Sequence, residues 1–175
     1  MGEDAYLGKT VGAYRIEEKI GQGGMGEVYR ARDTALGRDV AVKVLTDQAA
    51  SQPSRIERFE REARAVARLS HPNILDIHDF GIHEGITYAV TELLKGLTLA
   101  ERLTKGAIPL SKGLEICRAI AEGLAAAHGE GVIHRDIKPS NILVTTNDNK
   151  AVPKVIDFGI AKALHQQLTD HSLYT

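Results

Sequence analysis

The chain has 175 residues, 43% apolar and 26% charged, the proportions of a globular domain with a core rather than of a disordered or fibrous chain. Its 22 Lys and Arg stand against 23 Asp and Glu, so no overall basic field exists to hold nucleic acid or an anionic membrane. The single cysteine, Cys117, excludes an internal disulfide and points to a reducing cytoplasm, and the sequence holds neither a signal-peptide h-region nor a run of 18 apolar residues.

Residues 1–12 have no period and read as a mobile leader. Tyr14, Ile16, Lys19 and Ile20, and then residues 27–30, read as strands flanking a glycine cluster. Residues 36–39 form a second turn, and residues 40–45, V-A-V-K-V-L, a third strand. Pro53 and Ser54 open a helix in which Ile56, Phe59, Ala63, Val66 and Leu69 recur at helical spacing, until His71-Pro72 closes it. Residues 74–80 and 86–92 read as strands around a turn at 81–85, completing a five-stranded sheet. A connection at 93–96 leads to a brief helix over 97–103. A longer helix follows, capped by Ser111, with Leu114, Cys117, Ile120, Leu124 and Ala127 as its apolar stripe and Gly129 and Gly131 at its end. Cys117 is expected there as a buried small hydrophobe. Residues 142–144 and 154–156 are strands around the polar turn 145–149.

Three clusters carry chemistry. Gly21-Gln22-Gly23-Gly24-Met25-Gly26 fits G-x-G-x-x-G, whose glycines let backbone N–H groups approach phosphates. A dinucleotide-binding turn would run into a helix, as in a Rossmann oxidoreductase; residues 27–30 continue as strand instead, which disfavours that reading. Within the 53–69 helix, Glu62 lies three residues after Phe59, inside the apolar stripe, whereas Glu57 and Glu60 fall outside it. A buried carboxylate needs a cation; the plainer alternative is an exposed ladder with Arg58. The third cluster is V-I-H-R-D-I-K-P-S-N from Val132 to Asn141, followed by Asp157-Phe158-Gly159. The remaining histidines, His71, His78, His83, His128, His165 and His171, lack metal-ligand spacing, so zinc is disfavoured.

The order and separation of these motifs resemble the protein kinase signature set, and the wording of residues 12–175 is similar to the eukaryotic-like serine/threonine kinases of bacteria. The resemblance implies an α+β, bilobal protein-kinase-like fold. Residues 13–92 would form a complete antiparallel N-lobe with the 53–69 helix, and residues 93–175 a partial helical C-lobe. It implies that Asp136 accepts the substrate's hydroxyl proton and Lys138 steadies the γ-phosphate. Lys43, which alone could be a surface lysine, would pair with Glu62 and reach the α- and β-phosphates. Asn141 and Asp157 would hold Mg²⁺. ATP would lie against Ile20, Gly21, Gln22, Gly23, Gly24, Met25, Gly26, Glu27, Val28, Ala41 and Leu143, with Thr91 as gatekeeper and Glu92 and Leu94 in the hinge. His134 is read as a packed imidazole, and Phe158 as packing near Val66. The implied activity is ATP- and Mg²⁺-dependent phosphorylation of Ser/Thr hydroxyls in a protein substrate, with a pseudokinase or nucleotide-binding regulatory module as the alternative. No nucleic acid and no membrane segment is expected, and the resemblance admits a kinase homodimer. Thr175 lies 18 residues past Asp157 and before any A-P-E, so the chain reads as a fragment inactive on its own, and Thr169, Ser172 and Thr175 as early phosphoacceptors that would pair with Arg135.

Overall fold

Alternating apolar and polar side chains in the first half of the chain build one antiparallel sheet in the computed structural model, which describes residues 5–23, 26–45, 64–147 and 150–158. Its strands are β1 (Thr10–Val11), β2 (Tyr14–Gly23), β3 (Gly26–Asp33), β4 (Arg38–Leu45), β5 (Ile77–His83) and β6 (Ile86–Glu92), in the order β1-β2-β3-β4-β6-β5. The register sets Tyr29 opposite Val42, Ala31 opposite Val40, and Val42 opposite Val90. Directly opposed residues share a face, so these fully buried side chains form one continuous core layer. Tyr14 and Tyr88 meet edge to face in the same layer, with ring centroids 6.1 Å apart.

The leader departs from expectation. Val11 is buried, Thr10 and Val11 pair with β2, and the Tyr6 ring stands edge-on to Tyr29 at 5.8 Å. An apolar residue at 6 and another at 11 suffice to tie this short segment to the core, where the absence of a period suggests mobility. The turn between β5 and β6 is also displaced. Glu84 and Gly85, with φ of 49° and 81°, make a two-residue turn whose left-handed backbone matches the strand twist. Gly81, expected in that turn, lies within β5, because a Cβ there would sit 2.9 Å from the Tyr88 hydroxyl.

A second unit contains β7 (Gly96–Thr98), α1 (Leu99–Thr104), α2 (Leu110–Gly129), a 3-10 turn at Pro139–Asn141, β8 (Ile142–Asn147) and β9 (Lys150–Val155), with sheet order β7-β8-β9. The T-L-A-E sequence caps α1. Thr98 Oγ1 accepts from the Glu101 amide at 3.1 Å and Glu101 Oε2 accepts from the Thr98 amide at 2.8 Å, which holds the Glu101 carboxyl below its usual range. The long helix differs in two ways. It starts at Leu110 with Pro109 at its cap position, so Ser111 caps nothing. Its buried face is Ile116, Gly123 and Ala127, whereas Leu114 is 62% exposed and Cys117 is exposed. Gly123 explains the rotation: a Cβ there would lie 3.2 Å from the Asn73 carbonyl, so the helix approaches its neighbour through a residue with no side chain.

Asn73 also decides where the chain divides. Its carbonyl accepts from the Val155 amide at 2.8 Å, its Nδ2 donates to the Pro153 carbonyl at 2.8 Å, and the Leu75 amide donates to the Val155 carbonyl at 3.0 Å. Residues 64–76 group with residues 94–175, and residues 77–93 with residues 1–63. Of the expected 53–69 helix, residues 64–66 are helical and residues 53–63, Glu62 among them, lie outside the described residues.

One electrostatic prediction arises in the first unit. Asp33 Oδ1 accepts from the amides of Ala35 and Leu36, each at 3.0 Å, and Oδ2 lies 3.5 Å from Arg38 Nε. These contacts, the Leu36 amide foremost, hold the carboxyl below its ordinary value of 3.8. A depressed folded value means that the stabilisation is complete above the unfolded value and is lost as pH falls through the folded one. Asp33→Asn should therefore melt below the unsubstituted protein at neutral pH, with the gap closing as pH falls below the ordinary carboxyl value of 3.8. A gap that stays constant over this fall in pH in a circular-dichroism melt would refute the role of the charge.

Candidate active site

In the first unit, register alone groups the residues that the motifs single out. Val28 lies opposite Lys43, Lys43 opposite Ala89, and Ala41 opposite Thr91, so Val28, Ala41, Lys43 and Thr91 share one sheet face, the reverse of the core layer of Tyr29, Val42 and Val90. Thr91 Oγ1 donates to the Glu92 carbonyl at 3.2 Å. The glycine cluster spans the end of β2 and the start of β3: Gly21 opposes Val28, Gln22 opposes Glu27, and Ile20 is half exposed. Gly24 and Met25 lie outside the described residues. Gly26 has a structural reason to be glycine. Its φ is 145°, and a Cβ would fall 2.0 Å from the Val44 carbonyl. The Glu27 carboxylate forms an ion pair with Lys19 and accepts from the Tyr29 hydroxyl at 2.6 Å, bracing this end of the hairpin.

In the second unit, the H-R-D-I-K-P-S-N segment is held by a chain of hydrogen bonds. His134 is buried, its Nδ1 accepts from the Asp136 amide at 3.2 Å, and its Nε2 donates to the Ile156 carbonyl at 2.9 Å. An acceptor at Nδ1 and a donor at Nε2 assign the neutral tautomer, so the imidazole acts as a strut rather than a base. The Ile156 amide in turn donates to the Asn141 carbonyl at 2.9 Å, and Asn141 Nδ2 donates to the Asp136 carbonyl at 2.8 Å. The Phe158 ring, itself buried, closes against His134 at 4.8 Å between centroids.

This network fixes Asp136 from its main chain. The side chain is 29% exposed, and Oδ2 lies 2.9 Å from Lys138 Nζ and 3.3 Å from Asn141 Nδ2. Arg135 and Asp157 both adopt left-handed backbone, with φ of 63° and 55°. Neither is glycine, and such positions cost about 1–3 kcal/mol and cluster at working sites. Asn141 Nδ2 is committed to Asp136, which leaves Oδ1 as the acceptor atom of that amide, and Asp157 carries a carboxylate. Among the described residues no three His, Cys, Asp or Glu side chains cluster as a metal cage.

Leu94 and Leu143 are half buried in this second unit, Leu143 lying opposite Thr98 and Lys154. Glu62, Gly159, Thr169, Ser172 and Thr175 are outside the described residues. Sequence reasoning misses two supporting groups. Asn73 stands in the sequence only as the residue after a helix stop, although a polar side chain after His-Pro, unable to continue the helix, has to find partners elsewhere. Ile156 acts through its main-chain N–H and C=O, which leave no mark in a side-chain pattern.

The sequence profile of the protein kinase domain family matches residues 14–175. Among curated relatives, the serine/threonine-protein kinase PrkC of Bacillus subtilis is 42% identical over 168 residues, 95% of this chain and 26% of that protein. The serine/threonine-protein kinase PknA of Mycobacterium tuberculosis is 45% identical over 87% of this chain and 36% of that one. Among solved structures, the Mycobacterium tuberculosis PknI kinase domain superposes with a TM-score of 0.79 at 32% identity, covering 88% of this chain and 62% of that one. The chain thus spans about a quarter to a third of the length of these two curated relatives. No helix among the described residues is long and apolar enough to cross a membrane.

Proposed function

This chain belongs to the protein kinase family, and from that premise we propose that its protein transfers a phosphoryl group from ATP, with Mg²⁺, to Ser and Thr hydroxyls of protein substrates. The observation that carries the reading is the Asp136 carboxylate, immobilised through its own main chain and set beside the Lys138 ammonium. Bound MgATP supplies the transferable group and the cation that screens its charge.

The chain's own residues divide the remaining work. As the substrate oxygen attacks, its proton passes to an Asp136 carboxylate oxygen, a base of suitable strength once the O–H bond is already breaking. Lys138 offsets the negative charge that gathers beside Asp136. Asn141 and Asp157 offer oxygens to the metal. Lys43, on the face shared with Val28 and Ala41, offers an ammonium to the phosphates, while those two apolar side chains suit a purine ring. Main-chain groups around Glu92 and Leu94 would read the base edge. Glu62 as the partner of Lys43 remains part of the reading on sequence grounds. The exposed Cys117 thiol suits a reducing cytoplasm.

The test is incubation of the full-length protein that contains this chain with radiolabelled ATP, Mg²⁺ and a generic basic acceptor protein, followed by phosphoamino-acid analysis. Phosphoserine and phosphothreonine, abolished by EDTA, are expected. Tight nucleotide binding with no transfer to any acceptor, itself included, would overturn catalysis in favour of a regulatory nucleotide-binding module.

A further inference from the structure

The second unit holds a cavity of about 330 Å³ that takes no part in the chemistry above. Its walls come from β7, α1, the loop before α2, the first two turns of α2 and strands β8 and β9, with Leu97, Ile108, Ile116 and Val144 as the apolar lining and Arg102 and Lys112 as its cations. We propose that this groove docks an extended acidic segment of a partner protein, seating its apolar side chains between Leu97, Ile108 and Val144 and its carboxylates on Arg102 and Lys112.

Charge is the first argument. The chain as a whole is nearly neutral, yet residues 95–112 carry Lys95, Arg102, Lys105 and Lys112 against Glu101 alone. Glu101 is occupied, since its carboxylate closes the α1 cap with Thr98. Arg102 Nη1 makes one long bond, 3.4 Å, to the Gly106 carbonyl, and Lys112 meets Glu115 at 3.1 Å on the exposed helix surface. Guanidinium and ammonium groups have five and three N–H donors, more than these contacts use, and both sit beside apolar wall. A surface of this kind favours a ligand that alternates apolar groups with carboxylates.

Size and shape argue for a peptide rather than a whole cofactor. The volume lies at the bottom of the range of about 300–1,000 Å³ for small-molecule pockets. Leu97 on one wall is 37% exposed, so a ligand can reach this wall from solvent. Its edge is β7, the outer strand of the three-stranded sheet. An edge strand offers main-chain groups to an added extended segment, while alternate side chains fill pockets; here the Thr98 amide is already taken by Glu101, so the contribution falls to Gly96 and the side-chain contacts.

The probe is a short fluorescein-labelled peptide in which Asp and Glu alternate with Leu and Ile, titrated by anisotropy into the full chain. Binding to the unsubstituted protein is expected, with affinity about ten-fold or more lower for the double variant Arg102→Glu, Lys112→Glu. Both side chains are at the surface, so a matching melting curve will confirm that the variant folds. Methyl resonances of Leu97, Ile108 and Val144 should shift on binding. Equal affinity of the double variant, unmoved methyl groups, equally tight binding of a peptide with Lys in place of Asp and Glu, or complete displacement of the peptide by decanoate would each overturn the proposal. These readouts need no ATP, so their failure leaves the phosphoryl-transfer reading untouched.

Discussion

Asp136→Asn should slow phosphoryl transfer by about 10²–10⁴-fold at saturating MgATP, with little change in melting temperature or nucleotide affinity. The bonds that hold the loop use the Asp136 amide and carbonyl, which the substitution leaves alone, and an Asn side-chain oxygen can still face Lys138 Nζ. What disappears is the ability to take a proton. That range corresponds to about 2.7–5.5 kcal/mol of barrier, several times the worth of a half-exposed ion pair, so electrostatic loss at Lys138 could not imitate it. Single-turnover kinetics on a protein acceptor, beside a thermal melt, separates the two causes. Near-normal turnover, or a loss that follows a collapsed melting temperature, would show that Asp136 is not the proton acceptor.

Asp157→Asn should abolish the dependence of ATP affinity on Mg²⁺, and Lys43→Met should weaken ATP binding about ten-fold or more with or without the metal. Both substitutions isolate chemistry from fold. Asn tolerates left-handed backbone well, so the φ of 55° at position 157 is kept while a charged oxygen is exchanged for an amide. Methionine keeps the length and apolar stem of lysine, so the packing of β4 between Val28 and Ala89 survives the loss of the ammonium. Titration calorimetry with Mg²⁺ and with EDTA gives the four affinities required. If Asp157→Asn retains the full metal response, Asp157 is not a ligand.

The strands around the core are legible in the sequence because the alternation through Tyr29 and Ala31, and again through Val40, Val42 and Val44, is a period that only a half-buried strand satisfies. The chemistry-bearing residues are legible as motifs, each a set of side-chain types at fixed spacing. What escapes is decided by neighbours distant in sequence. Gly81 looks like a turn residue until the Tyr88 ring is placed above it. The stripe expected on the long helix runs through Leu114 and Cys117, and the contact of Gly123 with Asn73 turns the buried face to Ile116, Gly123 and Ala127 instead. The hydrogen bonds that hold residues 134–141 run through the carbonyl and amide of Ile156, groups that nearly every residue possesses. The order of the leader escapes because two anchoring side chains in twelve residues make no period.

The partners that Asn73 finds at Pro153 and Val155 also set an order of events during synthesis. The Asn73 amide waits for a carbonyl 80 residues downstream. Translation at about 5–20 residues per second delivers that carbonyl some 4–16 s later, after every strand of the first sheet has left the peptidyl-transferase centre. Residues 73–75 thus spend those seconds without the hydrogen bonds that join them to residues 153–155. A ribosomal pause shortly after Val155 would prolong the interval before the tunnel releases them, whereas a pause before Asn73 would not.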